Sequence, residues 1–220
     1  MVTSFNNCTI LGESIELLLA DEVDVIVVDN GSDDGSAEYL KAHNRITSIV
    51  NPENLGSSVA RNQGIDRCPE EDVLLLDGDI LYARGSYNFL ATIKTELQVG
   101  CVGMNPDCCT ADRERAWMLP PTDPELRDGW IAYSQYGLFS WDVLRSCRFD
   151  PAFGIGWGWE DNDMYMQMTS KGFAVKQVSW MYYHKRKSSV CSLARRGHSA
   201  RYRERGAYFA QKWHPAVRTS

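Results

Sequence analysis

The run Val73-Leu74-Leu75-Leu76, entered from Asp72 and closed by Asp77-Gly78-Asp79, constrains this chain most. Strand side chains alternate between two faces, so an unbroken apolar run suits a strand buried on both. Two carboxylates two residues apart then stand at the strand's carboxyl end. In open α/β sheets that edge is where ligands bind. Carboxylates this close repel each other unless a cation neutralises them, and a hard divalent ion is the natural one. Such an ion can grip a phosphate, which points to nucleotide chemistry.

The rest of the first half fits a strand of that kind. Strands are expected at residues 2–5, 23–28 and 46–50, with helices at 8–20, 37–43 and 56–65 between them. This alternation implies βαβ units, an α/β fold and a mainly parallel central sheet flanked by helices. Beyond it the pattern is less regular. A helix is expected at 87–97, a strand at 99–104 and a loop at 105–130. Then follow an extended stretch at 131–139, a short helix at 142–146, a Gly/Trp loop at 153–159 and a helix at 161–171. A strand at 173–178, an extended stretch at 180–184 and a helical tail at 189–213 complete the reading. No linker divides the chain, so one domain with a C-terminal extension is expected.

Composition narrows the function. The chain is 44% hydrophobic, enough for a core and against wholesale disorder. No apolar run has the length of a membrane span, and the first seven residues lack the regions of a signal peptide. A cytoplasmic location is expected. The seven cysteines are odd in number and show no C-x-x-C spacing, which fits free thiols better than a disulfide framework or zinc cage. Charge is unevenly placed. Residues 185–220 hold ten Lys/Arg against Glu204, a net +9, leaving −15 on residues 1–184 of a chain whose total is −6. A basic tail on an acidic body suits a phosphate, an anionic acceptor or peripheral contact with an anionic membrane, and equally a solvated helix face. Nucleic acid is not an expected partner.

Three further segments carry chemistry. Asp29-Asn30-Gly31-Ser32-Asp33-Asp34-Gly35-Ser36 follows the second strand, on the same sheet edge as Asp77 and Asp79. It offers carboxylates and amides to a nucleoside, or simply caps the next helix. Arg61, on the helix after Asn54-Leu55-Gly56, is placed to pair with a phosphate or a site carboxylate, or to be solvated on an ordinary surface helix. Phe153-Gly154-Ile155-Gly156-Trp157-Gly158-Trp159 leads into Glu160-Asp161-Asn162-Asp163. Tryptophan faces suit packing against sugar rings. The three acids suit a helix's first turn, but capping leaves the Gly/Trp run before them unexplained. His184, after Trp180-Met181-Tyr182-Tyr183, is a further candidate metal ligand.

Taken in order, these segments resemble a family 2-type glycosyltransferase with the GT-A fold, a Rossmann-like nucleotide-diphospho-sugar transferase. The resemblance runs over residues 1–184. It rests on Met1-Val2-Thr3-Ser4-Phe5-Asn6, Val27-Val28-Asp29-Asn30-Gly31-Ser32, Asn54-x-Gly56 through Arg61-Asn62-x-Gly64, Asp77-Gly78-Asp79 in the DxD position, and Trp157-Gly158-Trp159-Glu160-Asp161. The last is like the acceptor loop of galactosyltransferase-like members. The resemblance implies a nucleotide-sugar half at about 1–105, an acceptor half at about 106–184 and a basic helical extension at 185–220. Thr3, Asp29, Asn30, Arg61, Asp77 and Gly78 would bind the nucleotide sugar. Asp79, Asp77 and His184 would hold Mn²⁺ or Mg²⁺. Asp161 would be the general base beside Glu160, with Trp157, Trp159 and Asp163 on the acceptor.

The implied reaction moves a sugar from a UDP-, GDP- or dTDP-linked donor to the hydroxyl of a glycan, glycolipid or glycoprotein, with inversion; retention is the variant within the same fold. This chain has Asn30 where many members carry a second acid, which leaves the base open. It also ends soon after His184, as a minimal catalytic module or a piece of a larger protein would. The competing readings are a catalytically degenerate carbohydrate-binding module and a nucleotidyltransferase. The latter needs a Gly-rich, Lys/Arg-bearing loop after the first strand, which Cys8-Thr9-Ile10-Leu11-Gly12 does not supply.

Overall fold

The computed structural model of the chain describes residues 1–113, 116, 120–121, 123–156, 158–185 and 200–214. Strands β1 (Val2–Ser4), β2 (Ile26–Asp29), β3 (Thr47–Val50) and β4 (Val73–Asp77) alternate with helices α1 (Cys8–Ala20), α2 (Ser36–Ala42) and α3 (Ser57–Ile65). Helix α4 (Ser86–Leu97) and strand β5 (Cys101–Met104) follow. Then come β6 (Cys109–Thr110), β7 (Leu126–Asp128), β8 (Tyr136–Phe139), α5 (Trp141–Ser146), α6 (Glu160–Ser170), β9 (Val175–Val178), β10 (Tyr182–Tyr183) and α7 (Ala200–Trp213).

Eight strands form one sheet in the order β3-β2-β1-β4-β8-β5-β9-β7. The first four are mutually parallel. β8 is antiparallel to both β4 and β5, and β7 is antiparallel to β9. Register brings the carboxyl ends together: Ser4 lies beside Asp29, and Thr3 beside Asp77.

The apolar run works as its alternation requires. Leu74 and Leu76 join Val2, Val27, Val102 and Leu138 against Leu11, Ile15, Leu90 and Ile93 of α1 and α4. Val73 and Leu75 face the other way, into a cluster with Ile65, Val143, Met164 and Met168 of α3, α5 and α6. Each fully buried Leu or Ile contributes about 1.5–3 kcal/mol relative to exposure. The central strand is therefore pinned from both sides, and its terminal carboxylates with it.

Some expected elements differ. β2 begins at Ile26, because Val23 and Asp24 lie before the pairing with β3 starts. The 105–130 stretch contains a 3₁₀ turn at Pro106–Cys108 as well as β6 and β7. Residues 131–135 are not extended: Tyr133 has φ 53°, and its carbonyl accepts from Tyr136 N at 3.0 Å. This turn reverses the chain into β8.

The short β10 pairs with β6, and His184 bridges to Ile80. Of the expected tail helix, residues 189–199 lie outside the described residues. The described part, α7, packs on the body: Trp159 lies 5.1 Å from Phe209 and 5.6 Å from Tyr202, between ring centroids. Cys8, Cys68, Cys101, Cys108, Cys109 and Cys147 are free thiols. No described helix is long and apolar enough to cross a membrane.

Candidate active site

A cleft of 380 Å³ opens over the carboxyl ends of β1, β2 and β4, with Thr3, Asn30, Arg61, Asp77, Asp79, Glu160 and His184 among the residues that line it. Gly78 is there because β1 crosses so close. A Cβ on it would lie 2.6 Å from Ser4 Oγ and 3.0 Å from Ser4 Cα, and its N–H donates to Thr3 O at 2.7 Å. Asp77 and Asp79 thereby diverge. Asp77 Oδ1 accepts from Arg61 Nη2 at 2.9 Å and from Thr3 Oγ1 at 3.4 Å. Asp79 Oδ2 faces His184 Nε2 at 3.2 Å. The backbone enforces that contact: Lys185 N donates to Asp79 O, and Leu81 N to Tyr183 O.

Arg61 is the hinge of the site. It is 4% exposed, so the solvated surface position is overturned. Its Nη1 stands 3.7 Å from Glu160 Oε1, and its guanidinium lies 5.3 Å from the Phe149 ring centroid. The two acidic segments, 83 residues apart in sequence, are thus joined across one guanidinium. Nε and Nη1 of Arg61 are buried without a hydrogen-bond partner. Burial alone would weaken its hold on the proton, but Asp77, Asp161 and Glu160 outweigh that and keep it charged. Burial raises the Asp77 and Glu160 pKa values; Arg61 opposes both rises, while Asp79 adds to the first and Asp161 to the second.

The Asp29 turn is drawn inward. Asp29 is fully buried, and its carboxylate accepts from Ser32 Oγ at 2.5 Å and Ser32 N at 3.1 Å. Asn30 uses both ends of its amide. Nδ2 donates to Asn54 Oδ1 at 3.0 Å and Gly56 O at 3.3 Å, while Oδ1 accepts from Asn51 Nδ2 and Leu55 N, each at 3.1 Å. An acid at position 30 would have nothing to donate to Gly56 and Asn54, which accounts for the amide.

Helix α6 opens with the expected acids, which split in function. Glu160 faces the cleft. Asp161 Oδ1 accepts from Ser134 Oγ and, at 3.4 Å, from Ser134 N, while Ala132 N donates to Asp161 O at 3.3 Å. Ser134 was not foreseen, since residues 131–139 read as a plain strand; the turn around Tyr133 is what aims it.

Asp163, expected on the acceptor, is instead fully buried. It accepts from Trp213 Nε1 at 2.7 Å and Gln167 Nε2 at 2.8 Å, and pairs with Lys212 at 2.8 Å. It anchors α7 and has no oxygen facing solvent. Trp159, in a left-handed conformation at φ 76°, packs under α7. Trp157 lies outside the described residues.

The expected metal trio does not assemble: no group of three His, Cys, Asp or Glu among the described residues could hold an ion. Asp77 is turned to Arg61, which leaves the Asp79–His184 pair. One carboxylate oxygen and one imidazole nitrogen suit Mn²⁺ better than Mg²⁺, which favours all-oxygen shells. Burial works to lower the His184 pKa, but hydrogen bonds with Asp79 and Cys109 outweigh it and push it up to about 10. A metal there has to displace that proton.

The family model for glycosyl transferase family 2 matches residues 1–149. The uncharacterized glycosyltransferase YibD of Escherichia coli K12 is 29% identical over 104 residues, 46% of this chain and 30% of its own length. The fold is similar to that of Staphylococcus aureus TarS 1-349 in complex with UDP, with a TM-score of 0.63 at 16% identity, covering 83% of this chain and 58% of that one. It is also similar to the mannosyltransferase PcManGT of Pyrobaculum calidifontis in complex with GDP-Man and Mn²⁺, with a TM-score of 0.62 at 18% identity, over 100% of this chain and 64% of that one. The chain thus spans under a third of YibD and about 60% of the two structures. With the family model covering most of its length, the chain belongs to glycosyl transferase family 2.

Proposed function

We propose that this chain transfers a sugar from a nucleotide-diphosphate donor to an acceptor hydroxyl, with a divalent cation and with inversion. The observation that carries this reading is Arg61 joining Asp77 at 2.9 Å to Glu160 at 3.7 Å. A donor's diphosphate near Asp79 and an acceptor near Glu160 then meet in one cleft. The UDP of TarS and the GDP-Man and Mn²⁺ of PcManGT support the donor class and the metal.

Asp79 and His184 would hold the ion, which supplies positive charge to the departing diphosphate. Without added charge a diphosphate would meet Asp77, Asp79 and Glu160, with Arg61 and His184 as the cationic groups among the described residues that line the cleft. Arg61 lines the same cleft and brings positive charge to the diphosphate's side of it. Ser134 holds Oδ1 of Asp161, leaving Oδ2 to take the acceptor's proton as the hydroxyl attacks the anomeric carbon opposite the leaving group. General-base help of this kind is worth about 10²–10⁴-fold. In this reading the catalytic unit runs over 1–184, and α7 closes its acceptor side.

A second reading, a sugar-binding module without transfer, draws on the missing third metal donor among the described residues. A thermal-shift screen of UDP, GDP and dTDP with and without Mn²⁺ separates donor binding from none, since a ligand bound to the native state raises Tm. A Mn²⁺-dependent rise for one nucleotide, with Mn²⁺-stimulated release of it from the matching nucleotide sugar, supports transfer. Binding of free sugars with no nucleotide response favours the module.

A further inference from the structure

A second groove, of 440 Å³, runs between residues 152–155 and α7, bordered by Phe153, Ile155, Arg201, Glu204, Arg205 and Tyr208. Ile155 borders both this groove and the cleft that holds Glu160, so the two hollows meet at one side chain.

Two arginines, Arg201 and Arg205, border the groove without an ion pair among the described residues. Arg205 is 7% exposed, yet its one hydrogen bond among the described residues runs from Nη2 to Ile155 O. A guanidinium carries five N–H donors, and one bond among the described residues uses a small part of that capacity. Burial lowers the Arg205 pKa; Glu160 opposes this, and the like charge of Arg201 adds to it. Arg201 is exposed and has no ion-pair or hydrogen-bond partner among the described residues. Glu204 borders the groove without an ion pair to either arginine.

The loop is shaped to admit this guanidinium. A Cβ on Gly156, at φ 129°, would lie 2.7 Å from Arg205 Nη2 and 2.9 Å from Nη1. Glycine lets the charge lie flat against the backbone between the two hollows. A buried arginine with one hydrogen bond among the described residues, beside a second with none, suits an oxyanion, which guanidinium binds in a bidentate way.

We propose that this groove is the acceptor subsite, and that it takes an acceptor sugar bearing a phosphate or carboxylate, with the anion on Arg201 and Arg205 and the carbon skeleton on Ile155 and Phe153. The assignment as acceptor subsite rests on the glycosyl-transfer reading above; the oxyanion site itself rests on the groove alone.

The test is calorimetry on the full chain with UDP and Mn²⁺ present, titrating glucose 6-phosphate, glucuronate and methyl glucoside into the wild type and Arg201→Glu. Arg201 is exposed, so its reversal leaves the fold intact. The wild type is expected to prefer one or both anionic sugars over methyl glucoside by about tenfold, the size of one charge-assisted hydrogen bond. Which one it prefers separates phosphate from carboxylate. Arg201→Glu is expected to erase the preference and leave UDP binding unchanged, and added salt to weaken it. A wild type without preference, a preference that survives Arg201→Glu, or anions displaced by UDP would overturn the proposal. So would Arg201-dependent binding of phosphatidylserine vesicles with no binding of the soluble sugars, since the surface would then be a membrane contact. Loss of UDP, GDP and dTDP binding with the anion preference intact would remove the acceptor role and the glycosyl-transfer reading while leaving the oxyanion site.

Discussion

Arg61 and Asp77 meet at 2.9 Å between Nη2 and Oδ1, the arginine side chain 5% exposed and the aspartate 30%. Breaking a buried ion pair by removing one partner strands the other charge. Arg61→Met is therefore expected to destabilise the protein by about 3 kcal/mol, at the low end for such pairs because Asp77 keeps some solvent. Urea denaturation measures it. Arg61→Lys keeps the charge but cannot span Asp77 and Glu160 together, so it falls between the two. An unchanged midpoint in Arg61→Met would mean the pair contributes nothing.

Asp150 ties α7 to the body, accepting from Tyr208 OH at 2.7 Å and Lys212 Nζ at 2.8 Å. Burial works to raise its pKa, but these bonds win and lower it. A depressed folded value means the contribution is present above the ordinary carboxylate pKa of about 3.9 and is lost as pH falls through the lower folded one. Acid below about pH 4 is thus expected to loosen α7. Fluorescence of Trp159 and Trp213, both at this interface, reports it. Asp150→Asn is expected to show the loosened signal already at neutral pH.

Asn30→Asp tests why an amide stands in the turn after β2. The substitution replaces two donated bonds, to Asn54 Oδ1 and Gly56 O, with contacts between acceptors. A loss of about 2–3 kcal/mol is expected from burying acceptors without donors, read as a lower Tm at neutral pH. A Tm equal to the wild type would refute the structural role.

The parts of this fold that were legible are those where one residue type decides. The apolar run at Val73–Leu76 could only be a strand buried on both faces, and its end at Asp77 followed. The extended stretch at 131–139 was legible in its second half, which is β8, but its insertion between β4 and β5 was not, because that pairing depends on the turn at Tyr133 and on no local pattern. β7 is Leu-Arg-Asp, exposed throughout, and carries no strand periodicity. Arg61, in the polar helix Ser57–Ile65, was expected to meet a phosphate, a site carboxylate or solvent; it pairs with Asp77, but its burial between Asp77 and Glu160 shows in no local pattern. Asp163 stood beside Asp161 in sequence, but helical rotation turns it inward, toward α7. Ser134 gave no signal, because a serine aimed at a carboxylate is visible only once the turn is folded.

Ser134→Ala releases Oδ1 of Asp161. The expected result is a kcat lower by about tenfold, with the donor KM unchanged, as for a group that orients the base and does not touch the donor. Equal losses in donor binding would instead mean that the turn at Tyr133 had collapsed.

The most direct measurement compares Asp79→Ala and Asp161→Asn with the wild type in one assay, following nucleoside diphosphate release and sugar transfer with Mn²⁺. Asp79→Ala is expected to lose metal-dependent donor binding. Asp161→Asn is expected to bind donor normally and to transfer nothing. Wild-type turnover in both variants would contradict a cleft in which the carboxyl end of β4 holds the donor and the start of α6 activates the acceptor.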